Sequence, residues 1–219
     1  MNTKITLLFL LIGLVAFGQK IPKDKKQLIA SVENHKEELI SISDQIWANA
    51  EIAFQETESS KLLADYAEAN GFTVERGVAD IPTAFIATYG EGKPVISVLG
   101  EFDALPGISQ KAQPTKDPLE AGAAGHGCGH NLFGTASLGA AIAVKEMIEA
   151  GEIKGTVKFI GTPAEEKFFG KLWMLEAGVW DDVDVNVSWH PSADTKADVQ
   201  SSLAMVDFIV EFNGQAAHA

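Results

Sequence analysis

Apolar positions in the first part of the chain recur at helical spacing. Leu28, Val32, His35, Leu39, Ile42 and Ile46 step by four and three residues, which predicts one face of a long amphipathic helix. His35 in that stripe reads as a satisfied, half-buried side chain and not as a ligand. A second helix is predicted over residues 57–70, stopped by Gly71. β-rich runs follow at 73–75, 83–89 and 95–100. Residues 103–130 then show no period and are rich in Gly, Ala and Pro. Loops this long in compact domains are usually functional or disordered, and this one ends in unusual chemistry. Asn131 is placed to cap a helix through Ala136, Leu138, Ala141, Val144 and Ile148, closed by Gly151. A strand at 156–161, a helix near 169–177 and a buried strand at 183–189 complete a β/α alternation. That order predicts an α/β fold: a largely parallel sheet with helices on both faces. Residues 201–212 read as one more strand, Asn213-Gly214 as a turn, and the polar stretch 194–200 as a domain boundary.

The first residues follow another logic. Lys4 precedes an apolar run over 5–17, and Ala16 and Gly18 supply small residues at the −3 and −1 positions of a cleavage site. Residues 1–18 therefore read as a secretory signal peptide. A membrane anchor needs about 20 apolar residues, more than this run has. No cysteine follows Gly18, which argues against lipid attachment, so export of a chain beginning near Gln19 is expected. The net charge of −13 becomes −14 without Lys4. A surface this acidic repels phosphate backbones and anionic lipid, which speaks against nucleic-acid and membrane-surface roles. Arg76 is the only arginine, so this stretch can hardly supply a bidentate substrate clamp. Cys128 is the only cysteine and has no partner for an intramolecular disulfide. It is either a buried apolar thiol or one kept for its chemistry.

Four polar segments fall at the predicted carboxyl ends of strands or in the loops after them. They are Glu101-Phe102-Asp103, His126-Gly127-Cys128-Gly129-His130, Glu165-Glu166 and His190. In open α/β sheets ligands bind at that edge, so the segments converge on one place. The glycine-rich run lacks the G-x-G-x-x-G spacing of a phosphate loop. Its glycines instead let Cys128 and His130 face one point. With Glu166 and His190 they make a mixed S/N/O donor set suited to zinc and tolerable for manganese or cobalt. Glu165-Glu166 reads either as two solvated charges opening a helix or as a split pair, one carboxylate on the metal and its neighbour taking a proton. Asp103 reads equally as a turn residue before Pro106 or as the partner that orients a metal-bound histidine.

Five motifs then stand in a recognisable order. They are Glu101-Phe102-Asp103-Ala104-Leu105-Pro106-Gly107, Gly125-His126-Gly127-Cys128-Gly129-His130-Asn131, Thr162-Pro163-Ala164-Glu165-Glu166, Trp189-His190-Pro191 and Gly214-Gln215-Ala216-Ala217-His218-Ala219. In this order the chain resembles the amidohydrolase branch of the M20 metallopeptidases. The resemblance implies two divalent metal ions, zinc first with manganese or cobalt as alternatives, held by Cys128, His130, Glu166 and His190, with Cys128 bridging. It implies Glu165 as general base and leaves His126 outside the ligand set. Residues 19–199 would be the N-terminal part of the catalytic domain. Residues 200–219 would begin an inserted α+β lid through which the chain forms a homodimer, with His218 reaching the partner subunit's site to stabilise the oxyanion. The family's chains are longer, and a further histidine ligand would come from the part beyond Ala219. The activity implied is hydrolysis of an amide bond in an N-acyl amino acid, an aminobenzoyl-glutamate-like compound or a small peptide. The alternative is a truncated, non-catalytic fragment that binds metal or dimerises.

Overall fold

The computed structural model describes residues 21–197 and isolated positions between 204 and 214. The proposed leader, the 201–212 strand and His218 lie wholly or largely outside the described residues. Helices α1 (Lys23–Asn34), α2 (Lys36–Asn49) and α3 (Thr57–Ala69) precede strands β1 (Thr73–Arg76), β2 (Phe85–Glu91) and β3 (Val95–Gly100). After the long loop come α4 (His130–Glu149), β4 (Gly155–Gly161), α5 (Gly170–Glu176) and β5 (Val185–Val187). Among the described residues no helix is long and apolar enough to cross a membrane.

The sheet order is β1-β2-β4-β3-β5. β3 pairs in parallel with both β4 and β5, while β2 runs antiparallel to its neighbours β1 and β4. Four of the five strands therefore point one way. Alternate residues of β2 and β4 feed opposite faces, as the two-residue period of a strand requires. Phe85, Ala87, Val157 and Phe159 turn toward α3 and α4, joining Ile42, Ile46, Leu63, Leu138 and Ile142 in the main core. Ile86 and Ile160 turn the other way, onto Met174 of α5 together with Val78, Ile81 and Val179. Helices thus cover both faces, the second only through α5 and the turn at 78–81.

Three expectations change. The single long helix is two, broken at His35, whose φ of −92° and ψ of 0° leave the helical range. The break follows from what the stripe meets. Leu39, Ile42 and Ile46 are buried in α2, but Val32 is 41% exposed and Ser31 is the buried residue of α1. His35 itself is satisfied, with its ring nitrogens 2.7 Å from the Tyr66 hydroxyl and 3.0 Å from Glu146 Oε1. Asn131 is no cap. It lies inside α4, buried, and its Nδ2 donates to Ser43 Oγ at 3.1 Å, while Gly129 takes the cap position. The last strand is only three residues long and is exposed rather than buried.

The consequence for function lies in the connections. The chain leaves β3, crosses through α4 on one face, enters β4 and returns through α5 on the other face to β5, beyond β3. The parallel strands β3, β4 and β5 all end at the same edge, and the segments 101–103, 162–166 and 188–190 emerge there together.

Candidate metal centre

His130 is the hub of that edge. It opens α4, has no exposed surface, and donates its Nδ1 proton to Asp103 Oδ1 at 2.9 Å, with the Asp103 carbonyl at 3.1 Å. This fixes the ring so that Nε2 faces the strand ends. Around Nε2 stand Glu101 Oε2 at 2.9 Å, Glu165 Oε2 at 3.8 Å and Glu166 Oε1 at 3.9 Å. Asp103 also accepts the Glu166 backbone N–H at 2.9 Å through its other oxygen, so one buried carboxylate sets both His130 and the start of the acidic pair.

Cys128 and His190 complete the circle. Cys128 Sγ lies 3.5 Å from His190 Nε2, and the donor atoms of Cys128, His130 and His190 all fall within 4.8 Å of one another. Glu101, His130 and Glu165 form a second such set sharing His130. Gly129 makes the Cys-x-His geometry possible. Its φ of +83° belongs to the left-handed region, and a Cβ there would meet Pro191 at 3.2 Å. His190 follows an exposed strand, yet it is anchored. Trp189 Nε1 donates to Ser137 Oγ at 3.0 Å and its ring meets Phe133 edge-on at 5.4 Å. His190 Nδ1 lies 2.9 Å from the Pro191 carbonyl, which leaves Nε2 facing inward.

The acidic pair sits on strained backbone. Ala164, Phe168 and Phe169 all have positive φ without being glycine, and such residues gather at functional sites. Ala164 is held by Glu56, a fully buried carboxylate whose Oε1 accepts the Ala164 N–H at 2.8 Å. The turn gives the two glutamates different surroundings. The Glu165 side chain is 39% exposed, that of Glu166 only 14%. Of the two, Glu165 is the more open to solvent.

Electrostatics reflect the crowding of acids. Burial works against a charged imidazole, but Asp103 and Glu101 outweigh it and hold His130 up to about 10. Burial, then Glu166, Glu165 and Glu101, push the Cys128 thiol up to about 12. Burial likewise raises Glu166. A divalent cation reverses each of these costs, because it supplies the positive charge that neighbouring carboxylates and a thiolate lack. The donor atoms carry the same message. Glu101 Oε2, His130 Nε2 and Glu166 Oε1 are buried without a hydrogen-bond partner. Such atoms are costly unless something binds them. Their convergence fits a metal site.

His126 is not drawn in. Its Nε2 lies 3.0 Å from the Ile46 carbonyl, and burial pushes its pKa down to about 4. It lines a cavity of about 490 Å³ between the end of α2 and the loop 108–127. Asn186 of the Asn186-Val187-Ser188 sequence lies on the exposed β5, not in a buried strand. Its Oδ1 accepts from Ser97 Oγ at 2.6 Å and from Trp180 Nε1 at 3.3 Å. Arg76 serves the surface, paired with Asp65 and Glu68.

Residues 98–211 match the model of peptidase family M20/M25/M40, more than half of the chain. The chain belongs to that family. One of the subunits of the p-aminobenzoyl-glutamate hydrolase of Escherichia coli K12 is 48% identical over 192 residues, covering 86% of this chain and 40% of that protein. The mouse Xaa-Arg dipeptidase is 30% identical, covering 89% of this chain and 44% of its own length. The chain thus spans less than half the length of these curated relatives. Among solved structures, the dinuclear metal-binding M20 peptidase YxeP of Bacillus subtilis superposes with a TM-score of 0.64 at 31% identity, over 74% of this chain and 44% of that one. An M20 fold with candidate ligands for divalent metal is therefore established for this chain.

Sequence reasoning placed Glu101 in a segment at the converging edge but gave it no role there, although a signal was present. Residues two apart in extended chain share a side, so Glu101 had to follow Asp103 while Phe102 entered the core. Phe102 is indeed fully buried in the main core. Glu56 offered no such signal, since it acts from a distant helix end.

Proposed function

We propose that the complete protein is a metal-dependent hydrolase that cleaves an amide bond of an N-acyl amino acid, an aminobenzoyl-glutamate-like compound or a small peptide. The observation that carries the reading is the convergence of buried carboxylate, thiol and imidazole donors around His130 Nε2, beside a more open carboxylate on a strained turn. Cys128, His130, Glu166 and His190 would hold two ions, with Asp103 orienting His130. When bound, such ions polarise a carbonyl and acidify water. Glu165 then takes the proton of the attacking water as its oxygen bonds to the amide carbon. The same carboxyl returns that proton to the leaving nitrogen as the C–N bond breaks, giving a carboxylic acid and an amine. The amide-cleaving names of the relatives favour an acyl group joined to an amino acid.

Two further parts of the proposal rest on residues at the chain's ends. Residues 1–18 would direct export. Residues 200–219 would begin the lid of a homodimer and carry His218 toward the oxyanion in the partner's site. The test uses the full-length protein: metal content by elemental analysis, and hydrolysis of N-acyl amino acids and aminobenzoyl-glutamate before and after chelation. Two ions per chain and hydrolysis lost on chelation and regained with metal are expected. Hydrolysis indifferent to metal removal, or a protein that takes up no divalent ion, would overturn the reading.

A further inference from the structure

The donor set carried by the family motifs leaves one buried carboxylate unexplained. Glu101 directly follows β3, is only 5% exposed, and has its two oxygens in different situations. Oε1 is engaged by Lys171 Nζ at 2.5 Å. Oε2 is buried without a hydrogen-bond partner, although it stands 2.9 Å from His130 Nε2 and 3.9 Å from His190 Nε2. The His130 atom it faces is equally without a hydrogen-bond partner. The two atoms stand at ion-pair distance and outside good hydrogen-bond geometry, an arrangement that suits two neighbours around a third body as well as a direct pair. Ligands on one ion with bonds of about 2.1 Å stand roughly 3 Å apart, which is the spacing seen.

Lys171 is built into this arrangement. It is the second residue of α5, and α5 starts where it does because Gly170 fits under the Pro163 carbonyl, only 2.2 Å from where a Cβ would sit. The Gly170 N–H donates to the Ala164 carbonyl at 3.1 Å, tying the start of α5 to the turn that carries Glu165 and Glu166. The lysine engages the Glu101 oxygen other than the one beside His130. It compensates one negative charge and blocks one oxygen, leaving a single oxygen for binding.

We propose that Glu101, oriented by Lys171, is a further metal ligand of this centre, binding through Oε2 on the ion that His130 holds. The inference rests on the metal reading above and adds a hard oxygen donor to the sulfur, imidazole and carboxylate set. Its consequence is metal preference. A second carboxylate on the His130 ion favours manganese relative to zinc more than a site of thiolate and imidazole alone does.

The experiment compares the full-length wild type with Glu101→Gln, Glu101→Asp and Lys171→Met. Mn²⁺ and Zn²⁺ affinities are read by chelator competition, and the Co²⁺-loaded absorption spectrum is recorded. Glu101→Gln should lose Mn²⁺ affinity by at least 10-fold and Zn²⁺ affinity by clearly less, and should change the Co²⁺ bands. Glu101→Asp, a carboxylate on a shorter arm, should recover part of the Mn²⁺ affinity. Lys171→Met should keep both ions but lower Mn²⁺ affinity by less than Glu101→Gln does, because the ligand remains and only the group that orients it is lost; a loss as large as that of Glu101→Gln for both metals would overturn the orienting role. A residue that merely orients His130 would lower both metals in proportion, as a lost outer partner does by roughly 10- to 100-fold. That proportional loss, or unchanged affinities and spectrum in Glu101→Gln, would overturn the assignment. If Glu101→Gln does not fold, the Asp variant decides: Mn²⁺ affinity and Co²⁺ bands both identical to wild type would sink the proposal. A wild type that binds no ion defeats the metal reading itself; a wild type with two ions matched by an unaltered Glu101→Gln defeats only the role of Glu101.

Discussion

Glu56 gives the sharpest physical prediction, because it is an acid buried far from solvent for a purely geometric task. Its side chain has no exposed surface. Oε1 accepts the Ala164 N–H at 2.8 Å and Oε2 accepts the Thr83 hydroxyl at 3.1 Å. Burial, with a contribution from the Asp103 charge, raises its pKa from 4.5 to about 7 despite three backbone hydrogen bonds that favour the anion. A carboxyl whose folded pKa lies above its unfolded value binds more protons folded than unfolded between the two. Stability must therefore fall as pH rises through that window, from about 4.5 to about 7, and stay low above it. The shift corresponds to about 3 kcal/mol at 1.36 kcal/mol per pH unit. Glu56→Gln keeps an oxygen for the Ala164 N–H, lets the Thr83 hydroxyl turn to accept from the amide, and removes the charge. At pH 5 the variant should lie within about 1 kcal/mol of the metal-free wild type; at pH 8 it should be about 3 kcal/mol more stable, or roughly 6–12 °C in Tm for a domain of this size. Urea unfolding of both proteins at the two pH values isolates the effect as a difference of differences. Parallel pH profiles would refute the argument, since they would mean that Glu56 ionises as readily folded as unfolded. Glu56→Ala, which orphans the Ala164 N–H, should instead destabilise at both pH values.

Three further outcomes are expected of the full-length protein. Glu165→Gln should retain its metal while turnover falls by about 10²- to 10⁴-fold, the usual contribution of a general base; lost metal with activity preserved would mean that the two glutamates are assigned in reverse. Cys128→Ser should weaken metal affinity more than Asp103→Asn does, as removing a thiolate ligand exceeds loosening an orienting partner; equal retention in a competition assay would take Cys128 out of the ligand set. Gly129→Ala forces a β-carbon into left-handed backbone at φ +83° and against Pro191; it should cost about 1–2 kcal/mol in urea unfolding and weaken metal binding, because the backbone between Cys128 and His130 must shift.

What could be read from the sequence follows the range over which each signal acts. The strands β3 and β4 and the helix α3 were legible within a residue or two because their patterns are local and their faces are buried. The helix over 28–46 failed because the stripe continues in sequence after the core has ended. Val32 carries the right residue type and meets solvent, and nothing in the pattern says where the partner surface stops. The convergence of Cys128, His130 and His190 was legible because strand ends converge by topology, so separate local readings add up to one place; the proposed ligand Glu166 lies near His130 but in neither of the two compact donor sets, the second of which contains Glu165. Glu101 was half legible, through its two-residue spacing from Asp103. Lys171 and Glu56 were not legible at all. Each reaches the site from an element whose own pattern concerns something else: α5 covers the second face of the sheet, and Glu56 stands at the start of a core helix. The candidate donors thus announce themselves by type at strand ends, as does Asp103 beside them, whereas other supports come from distant elements, Glu56 on Ala164 at a separation of 108 and Lys171 on Glu101 at about 70. That division explains why the motif segments can be read from the sequence while part of the site's charge environment, the Lys171 ammonium on Glu101, is decided outside them.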